Sequence, residues 1–376
     1  MRAIVNAKII TEREILEGYN ILFDSKIVEI SRDIISKEIE QIDAKGLYLS
    51  AGFIDIHIHG SNGFDVMDAT SEALEAIANS IVETGTTSFL ATTMTMSRED
   101  ITTALDTIHN FKYRSGAKIL GVHLEGPFIN PIKKGAQNDS YIQKPNFELI
   151  QPYIDIIKMI TIAPEIEGAK EFIEYLQNHY PQIILSIGHS NASYAKSKES
   201  FKWGISHATH LFNAMNPLHH REVGVVGAVV ESDKVSCDII ADLVHIHPSL
   251  FSILYRLKRD NLLLITDAMR AGCLSNGVSE IGGQKVIVES GEARLEDGTL
   301  AGSVLKLNEA LKNFYNHTDI SLPNLIAMVT SLPAKKLGLK IGRVAEGYPA
   351  DLVLFNKEFE IDSVYIDGNI FKKGKR

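Results

Sequence analysis

Ile183-Ile184-Leu185-Ser186-Ile187-Gly188-His189-Ser190 and, further on, His207-Ala208-Thr209-His210-Leu211-Phe212 decide the fold. The first is a short apolar run that ends on polar residues, the pattern of a buried strand, and each stretch places a histidine just past an expected strand. The two lie one strand-helix unit apart. Working outward, the same unit recurs. Upstream are Gly52 to His59, Thr87 to Met94, Lys118 to Leu124 and Ile156 to Ala163; downstream are Val235 to Ala241 and Leu262 to Thr266. Helical spacing fills several of the gaps. Leu74, Ile77 and Ile81 share one helix face, with Ser71 as the expected N-cap and Gly85 as the stop. Eight such units imply a (β/α)8, TIM-like barrel in an α/β protein. A doubly wound sheet also alternates, but polar residues gathered after many strands favour the barrel, where catalytic groups come from several strand ends.

The ends of the chain read differently. Ala3-Ile4-Val5, Tyr19 to Phe23, Ile27-Val28-Glu29-Ile30 and Leu47-Tyr48-Leu49 look like short strands, as do Asp351 to Phe355 and Ile361 to Ile366. The expectation is one small β-module built from both termini, residues 1–50 with 341–376, around a catalytic barrel of residues 51–340. A length of 376 residues suits that division.

Composition narrows the function. Hydrophobic residues make up 45% and charged residues 23%, as in a globular enzyme. A net charge of −9 argues against nucleic acid, because no basic face supplies counterion release. The short basic tail Phe371 to Arg376 reads as a solvated end. No apolar run is long enough for a membrane span, and the N-terminus does not read as a signal peptide. Cys237 and Cys273 form no CxxC pair, so a reduced, cytoplasmic protein is expected.

Chemistry gathers at the strand ends. His57 and His59 flank Ile58 and face the same way on a strand; such a pair ligates metal or packs. In Gly121-Val122-His123-Leu124-Glu125-Gly126-Pro127-Phe128, Glu125 closes an apolar strand where it could coordinate a metal or cap a turn, and His123 is either its support or a core histidine. His189 and His210, in successive units, complete the His/His/carboxylate set that a catalytic metal needs. Asp267, in Leu264-Ile265-Thr266-Asp267-Ala268-Met269, caps the next helix or carries a proton; beside a metal the second reading is stronger. Arg221 reads as a surface ion pair or a phosphate clamp. His245 follows the seventh strand and could polarise a carbonyl or grip an anion. Gln137 lies on the loop after Glu125, and Leu300-Ala301-Gly302 offers backbone donors.

With those residues in view, the chain resembles the N-acetylglucosamine-6-phosphate deacetylases, a branch of the amidohydrolase superfamily. The resemblance rests on Ala51-Gly52-Phe53-Ile54-Asp55, His123-Leu124-Glu125-Gly126-Pro127-Phe128, Gly188-His189-Ser190, Thr209 to Met215, Ile265 to Met269, Leu300 to Ser303 and Gly347 to Leu352. It implies a barrel with a small β-sandwich, a homodimer, and hydrolysis of N-acetyl-D-glucosamine 6-phosphate to D-glucosamine 6-phosphate and acetate in amino-sugar catabolism. It also implies metal binding by Glu125, His189 and His210, with Asp267 as base and then acid. Ala136, Asn213, Ala214, Arg221, His245 and Leu300 to Gly302 would contact substrate, Arg221 reaching the phosphate across the dimer interface. Some members lack the His57/His59 pair and hold one metal. Its retention here allows two, with Glu125 bridging and zinc, iron, manganese or cobalt as the ion. Some members carry histidine at the place of Gln137, which can still donate to a sugar or phosphate oxygen. Rival readings are a deacetylase of N-acetylgalactosamine 6-phosphate, a cyclic-amide hydrolase, for which no lysine stands at a strand tip, and a barrel without activity.

Overall fold

Eight parallel strands form the centre of the molecule, in chain order around one sheet: β1 (Phe53–Ile58), β2 (Thr86–Thr93), β3 (Lys118–Glu125), β4 (Ile157–Ile162), β5 (Ile184–Ile187), β6 (Ile205–Ala208), β7 (Ser236–Ile240) and β8 (Leu262–Ile265). The computed structural model describes residues 1–33 and 35–372; the solvated-end reading of the basic tail falls, from residue 373 on, outside them. Most strand residues are buried on both sides, which is why the runs read as continuously apolar rather than alternating. β8 returns to β1 through a bridge between Ile58 and Ala268. Two hydrogen bonds reinforce it, from the Asp267 amide to the His57 carbonyl and from the His59 amide to the Ala268 carbonyl, both 2.9 Å. That closure brings the ends of the first and last strands together, and with them His57, His59 and Asp267.

Two expectations shift. The helix Ser71–Val82 buries Leu74, Ile77 and Ile81 as its spacing predicts, but Thr70 caps it. Thr70 is extended, and its hydroxyl accepts from the Ala73 amide at 3.1 Å. Each fully buried Leu or Ile on that face contributes about 1.5–3 kcal/mol. The sixth strand begins at Ile205 and ends at Ala208, so Thr209 to Phe212 form a turn rather than its end.

Both termini contribute to a six-stranded sheet. In it Tyr48–Ala51 pairs with Lys8–Ile10 on one side and antiparallel with Leu352–Phe355 on the other. A four-stranded sheet, Ile27–Ser31, Asn20–Phe23, Arg2–Val5 and Glu40–Asp43, shares its apolar cluster: Ile4, Ile21 and Phe23 meet Leu352, Leu354 and Tyr365. Lys118, at the start of β3, bonds Asp351 at 3.0 Å and Asp367 at 2.7 Å, tying barrel to terminal sheet.

One element was not anticipated. After β8 the chain forms an antiparallel three-stranded flap, Gly277–Ile281, Gln284–Glu289 and Glu292–Leu295. Its inner residues Ile281, Val286, Val288 and Ala293 pack with Met94, Ala136 and Met269 at the strand ends. The Gln284 side-chain amide donates to the Ala136 carbonyl at 2.6 Å.

Candidate functional site

The strands deliver their chemistry through tight turns. His189 follows β5 with φ 46°, His210 follows β6 with φ 33°, and Asp267 follows β8 with φ 49°. Left-handed backbone is costly for residues with a Cβ, and such strain gathers at functional sites. Glu125 is the last residue of β3, and the turn after it depends on Gly126: at φ 73°, a Cβ there would lie 2.0 Å from Thr95 Oγ1.

Glu125 is the hub. Its Oε1 lies 2.9 Å from His210 Nε2, 3.1 Å from His189 Nε2 and 3.5 Å from His57 Nε2; its Oε2 lies 3.2 Å from His59 Nε2. Asp267 Oδ1 stands 3.4 Å from His57 Nε2 and 3.3 Å from His59 Nε2. All six residues are buried or nearly so. Burial alone would raise the Glu125 carboxyl, but positive charge placed among the His57 and His189 rings holds it well below the carboxylate range. Burial likewise opposes the charge of His210, and the Glu125 carboxylate overrides it, pushing the ring up to about 9. Asp267 is held to about 2 against its burial, first by His57 and then by a hydrogen bond from His59. The cluster demands positive charge.

A divalent cation fits that demand. His189 Nδ1 lies 2.9 Å from the Lys133 carbonyl, which can only accept, so Nδ1 carries the proton. The neutral ring then turns the Nε2 lone pair toward a carboxylate oxygen 3.1 Å away, an arrangement that repels unless a cation lies between them. Three ligand groupings have donor atoms within 4.8 Å of one another: His57, His59 and Glu125; His57, His210 and Asp267; Glu125, His189 and His210.

The surrounding shell orients these groups. His123 is not part of the donor set, because both its nitrogens are used. Nδ1 meets the Ile56 carbonyl at 3.1 Å, so Nε2 accepts from Thr161 at 2.7 Å. Its ring packs edge-on against His57, and burial keeps it neutral by lowering its pKa well below the usual value. The polarity of the chain behind it follows: Ser186 donates to Thr209, and Thr209 donates to Thr161. Asp238 accepts from His207 Nε2 at 2.9 Å and from the His210 amide, fixing the β6 turn. Asp55 accepts from Thr266 Oγ1 at 2.6 Å and from the His57 amide, and burial lifts it to about 6. Glu165 holds the turn after His189 through Ser190 Oγ at 2.8 Å.

A cavity of about 370 Å³ opens over the cluster. Glu125, His189, His210, Asp267, His59 and His245 line it, with His57 beneath at 0% exposure. Ala136, Asn213, Ala214, Leu300 and Gly302 also face it. Gln137 does too, but its ends are engaged: Nε2 donates to Glu125 Oε2 at 2.8 Å, and Oε1 accepts from the Thr95 amide at 2.6 Å. Ala301 is turned into the flap cluster. Arg221 lies outside the cavity, exposed, with its guanidinium 2.8 Å from His220 Nε2. Sequence reasoning missed Met94, Ile281, Arg294 and Thr299 in the lining. Three of these belong to the flap or the turn that follows it, which a reading for barrel units passed over.

The chain matches the model of the amidohydrolase family over residues 48–371. The chain belongs to the amidohydrolase family. This amidohydrolase is 40% identical to the N-acetylglucosamine-6-phosphate deacetylase of Bacillus subtilis (strain 168), covering 96% of this chain and 95% of that one. It is 32% identical to the N-acetylgalactosamine-6-phosphate deacetylase of Escherichia coli O157:H7, over 86% of this chain and 87% of that one. The crystal structure of N-acetylglucosamine-6-phosphate deacetylase from Pasteurella multocida superposes with a TM-score of 0.93 at 31% identity, over 98% and 99% of the two chains. The resemblance read from the sequence motifs is borne out. Among the described residues of this amidohydrolase, no helix is long and apolar enough to cross a membrane.

Proposed function

We propose that this amidohydrolase removes acetate from N-acetyl-D-glucosamine 6-phosphate to release D-glucosamine 6-phosphate. The observation that carries this reading is the convergence of Glu125, His189, His210 and Asp267 on one cavity, in a chain similar over nearly its whole length to deacetylases of that sugar phosphate. Glu125, His189 and His210 would hold one divalent ion, and His57, His59 and Asp267 a second that shares Glu125. Zinc is our first choice; iron, manganese and cobalt also suit these donors. Bound there, the ion supplies an acidified water and a polarised acetamide carbonyl.

The chain's own residues carry the protons. Asp267 takes one from the attacking water as the new C–O bond forms. It returns that proton to the sugar nitrogen as the C–N bond breaks, so acetate and a free amine leave. His245 donates to the carbonyl oxygen as negative charge develops. Ala136, Gln137, Asn213, Ala214 and the Leu300–Gly302 stretch would hold the sugar. Arg221, which lies outside its own cavity, would reach the phosphate of a second subunit's substrate in a homodimeric working form. We take residues 1–50 and 341–376 as a β-sandwich module bracing a barrel of 51–340. The free cysteines Cys237 and Cys273 support a cytoplasmic location.

The test is acetate release from the N-acetyl 6-phosphates of both glucosamine and galactosamine, with metal content measured on the same sample. Faster turnover of the glucosamine compound supports the reading; no acetate from either overturns it. Arg221→Ala should raise KM for the phosphorylated sugar by about 10- to 150-fold, the value of a lost charge-assisted hydrogen bond. Equal turnover of the unphosphorylated sugar by the unaltered enzyme would remove Arg221 from the phosphate. Gln284→Leu cuts the bond that holds the flap to Ala136. We expect KM to rise about 2- to 10-fold with metal content unchanged; an unchanged KM would show that the flap closes without that bond.

A further inference from the structure

His245 owes its orientation to a carboxylate three residues before it. The loop after β7 folds back so that Asp242 Oδ1 accepts from the Val244 amide at 2.9 Å and the His245 amide at 2.8 Å. Its Oδ2 meets His245 Nδ1 at 2.7 Å. The turn forces Leu243 to φ 70°, a left-handed conformation that a leucine adopts only under constraint. Both partners are well buried, with side chains 8% and 6% exposed. Burial raises the Asp242 carboxyl, and the bond to His245 reverses this, so it is lowered below its ordinary value. An ionised carboxylate only accepts, so the proton on this ring must sit on Nδ1. Among the described residues no protein group is bonded to Nε2, and His245 lines the cavity.

We infer that Asp242 is a positioning residue of the deacetylation: it fixes the Nδ1-protonated form of His245, so that Nε2 donates to the substrate carbonyl only when the ring carries both protons, as an imidazolium paired with Asp242. The inference rests on the proposed deacetylation and assigns a donor state within it. An imidazolium stabilises a developing oxyanion more than a neutral N–H does, because a charge-assisted bond is roughly twice as strong. The carboxylate offsets the cost of holding that charge on a mostly buried ring. The pair resembles the carboxylate and imidazole of a serine-protease triad, where the carboxylate sets the tautomer.

Asp242→Asn isolates the ring contact. The asparagine Oδ1 keeps both backbone bonds, so the loop is retained, while its NH2 faces Nδ1 and favours a proton on Nε2 instead. Spectra of 15N-histidine-labelled protein should show Nδ1 protonated in the parent and the opposite tautomer in the variant. Turnover should fall roughly 10- to 100-fold with KM little changed. Asp242→Ala, which also loses the loop bonds, should fall further. An unchanged tautomer in Asp242→Asn overturns the inference whatever the activity. So does the switched tautomer with full turnover, or an effect confined to KM, which would place His245 on the phosphate. Absence of acetate release by the parent enzyme would instead overturn the deacetylase reading and leave the tautomer result standing.

Discussion

Asp267→Asn is expected to lower turnover by roughly 10²- to 10⁴-fold while the protein keeps most of its metal. The substitution is nearly isosteric, and the backbone that places the residue is held independently of its side chain. The Asp267 amide donates to the His57 carbonyl at 2.9 Å, and its carbonyl accepts from the Ser303 amide at 2.8 Å. The asparagine oxygen still faces His57 and His59 and remains a weak metal donor, but an amide cannot take a proton from water and give it to an amine. Elemental analysis and turnover on one sample separate the two roles. Metal retained with turnover lost marks a proton carrier. Metal lost in proportion to turnover marks a ligand, and near-normal turnover removes Asp267 from the chemistry.

The strands were legible because burial on both faces leaves little choice of residue. Leu262 to Ile265 and Ser236 to Ile240 sit within one residue of their expected limits at each end. The turns that follow were not. Thr209 to Phe212 read as the end of the sixth strand, yet His210 and Phe212 take positive φ. That conformation is imposed by Asp238 on the neighbouring strand through the His210 amide, a contact that spacing does not encode. The flap is a different case. Gln284 to Glu289 alternates buried and exposed residues, and Gly282-Gly283 and Gly291 mark its two turns. The signal was present, but a reading organised around barrel units gave it no place. Gln137 and Asp242 show a third limit. Their residue types are ordinary, and only the folded loop reveals that each bonds a residue of the site, Glu125 and His245 respectively. Arg221 marks a fourth, since one chain does not bring it to the cavity at all.

Glu125→Gln should do more damage than loss of any single histidine. Glu125 Oε1 and Oε2 lie within 3.5 Å of four imidazole nitrogens, and the carboxylate belongs to two of the three ligand groupings. An amide in its place removes the negative charge that both proposed ions share, and one of its two atoms must turn N–H donors toward ring nitrogens that need to keep their lone pairs for metal. The expected result is less than about one ion per subunit and a turnover loss of at least roughly 10³-fold, since both the acidified water and the polarised carbonyl depend on the ion. The contrast is the double change His57→Asn with His59→Asn. It spares Glu125, His189 and His210, so that variant should hold about one ion where the parent holds about two, and should keep measurable acetate release. Equal metal in the parent and the double variant would mean that the histidine pair packs rather than ligates. A Glu125→Gln protein that still binds its full complement of metal would take the bridging role away from Glu125 and leave His189 and His210 to anchor the ion without it.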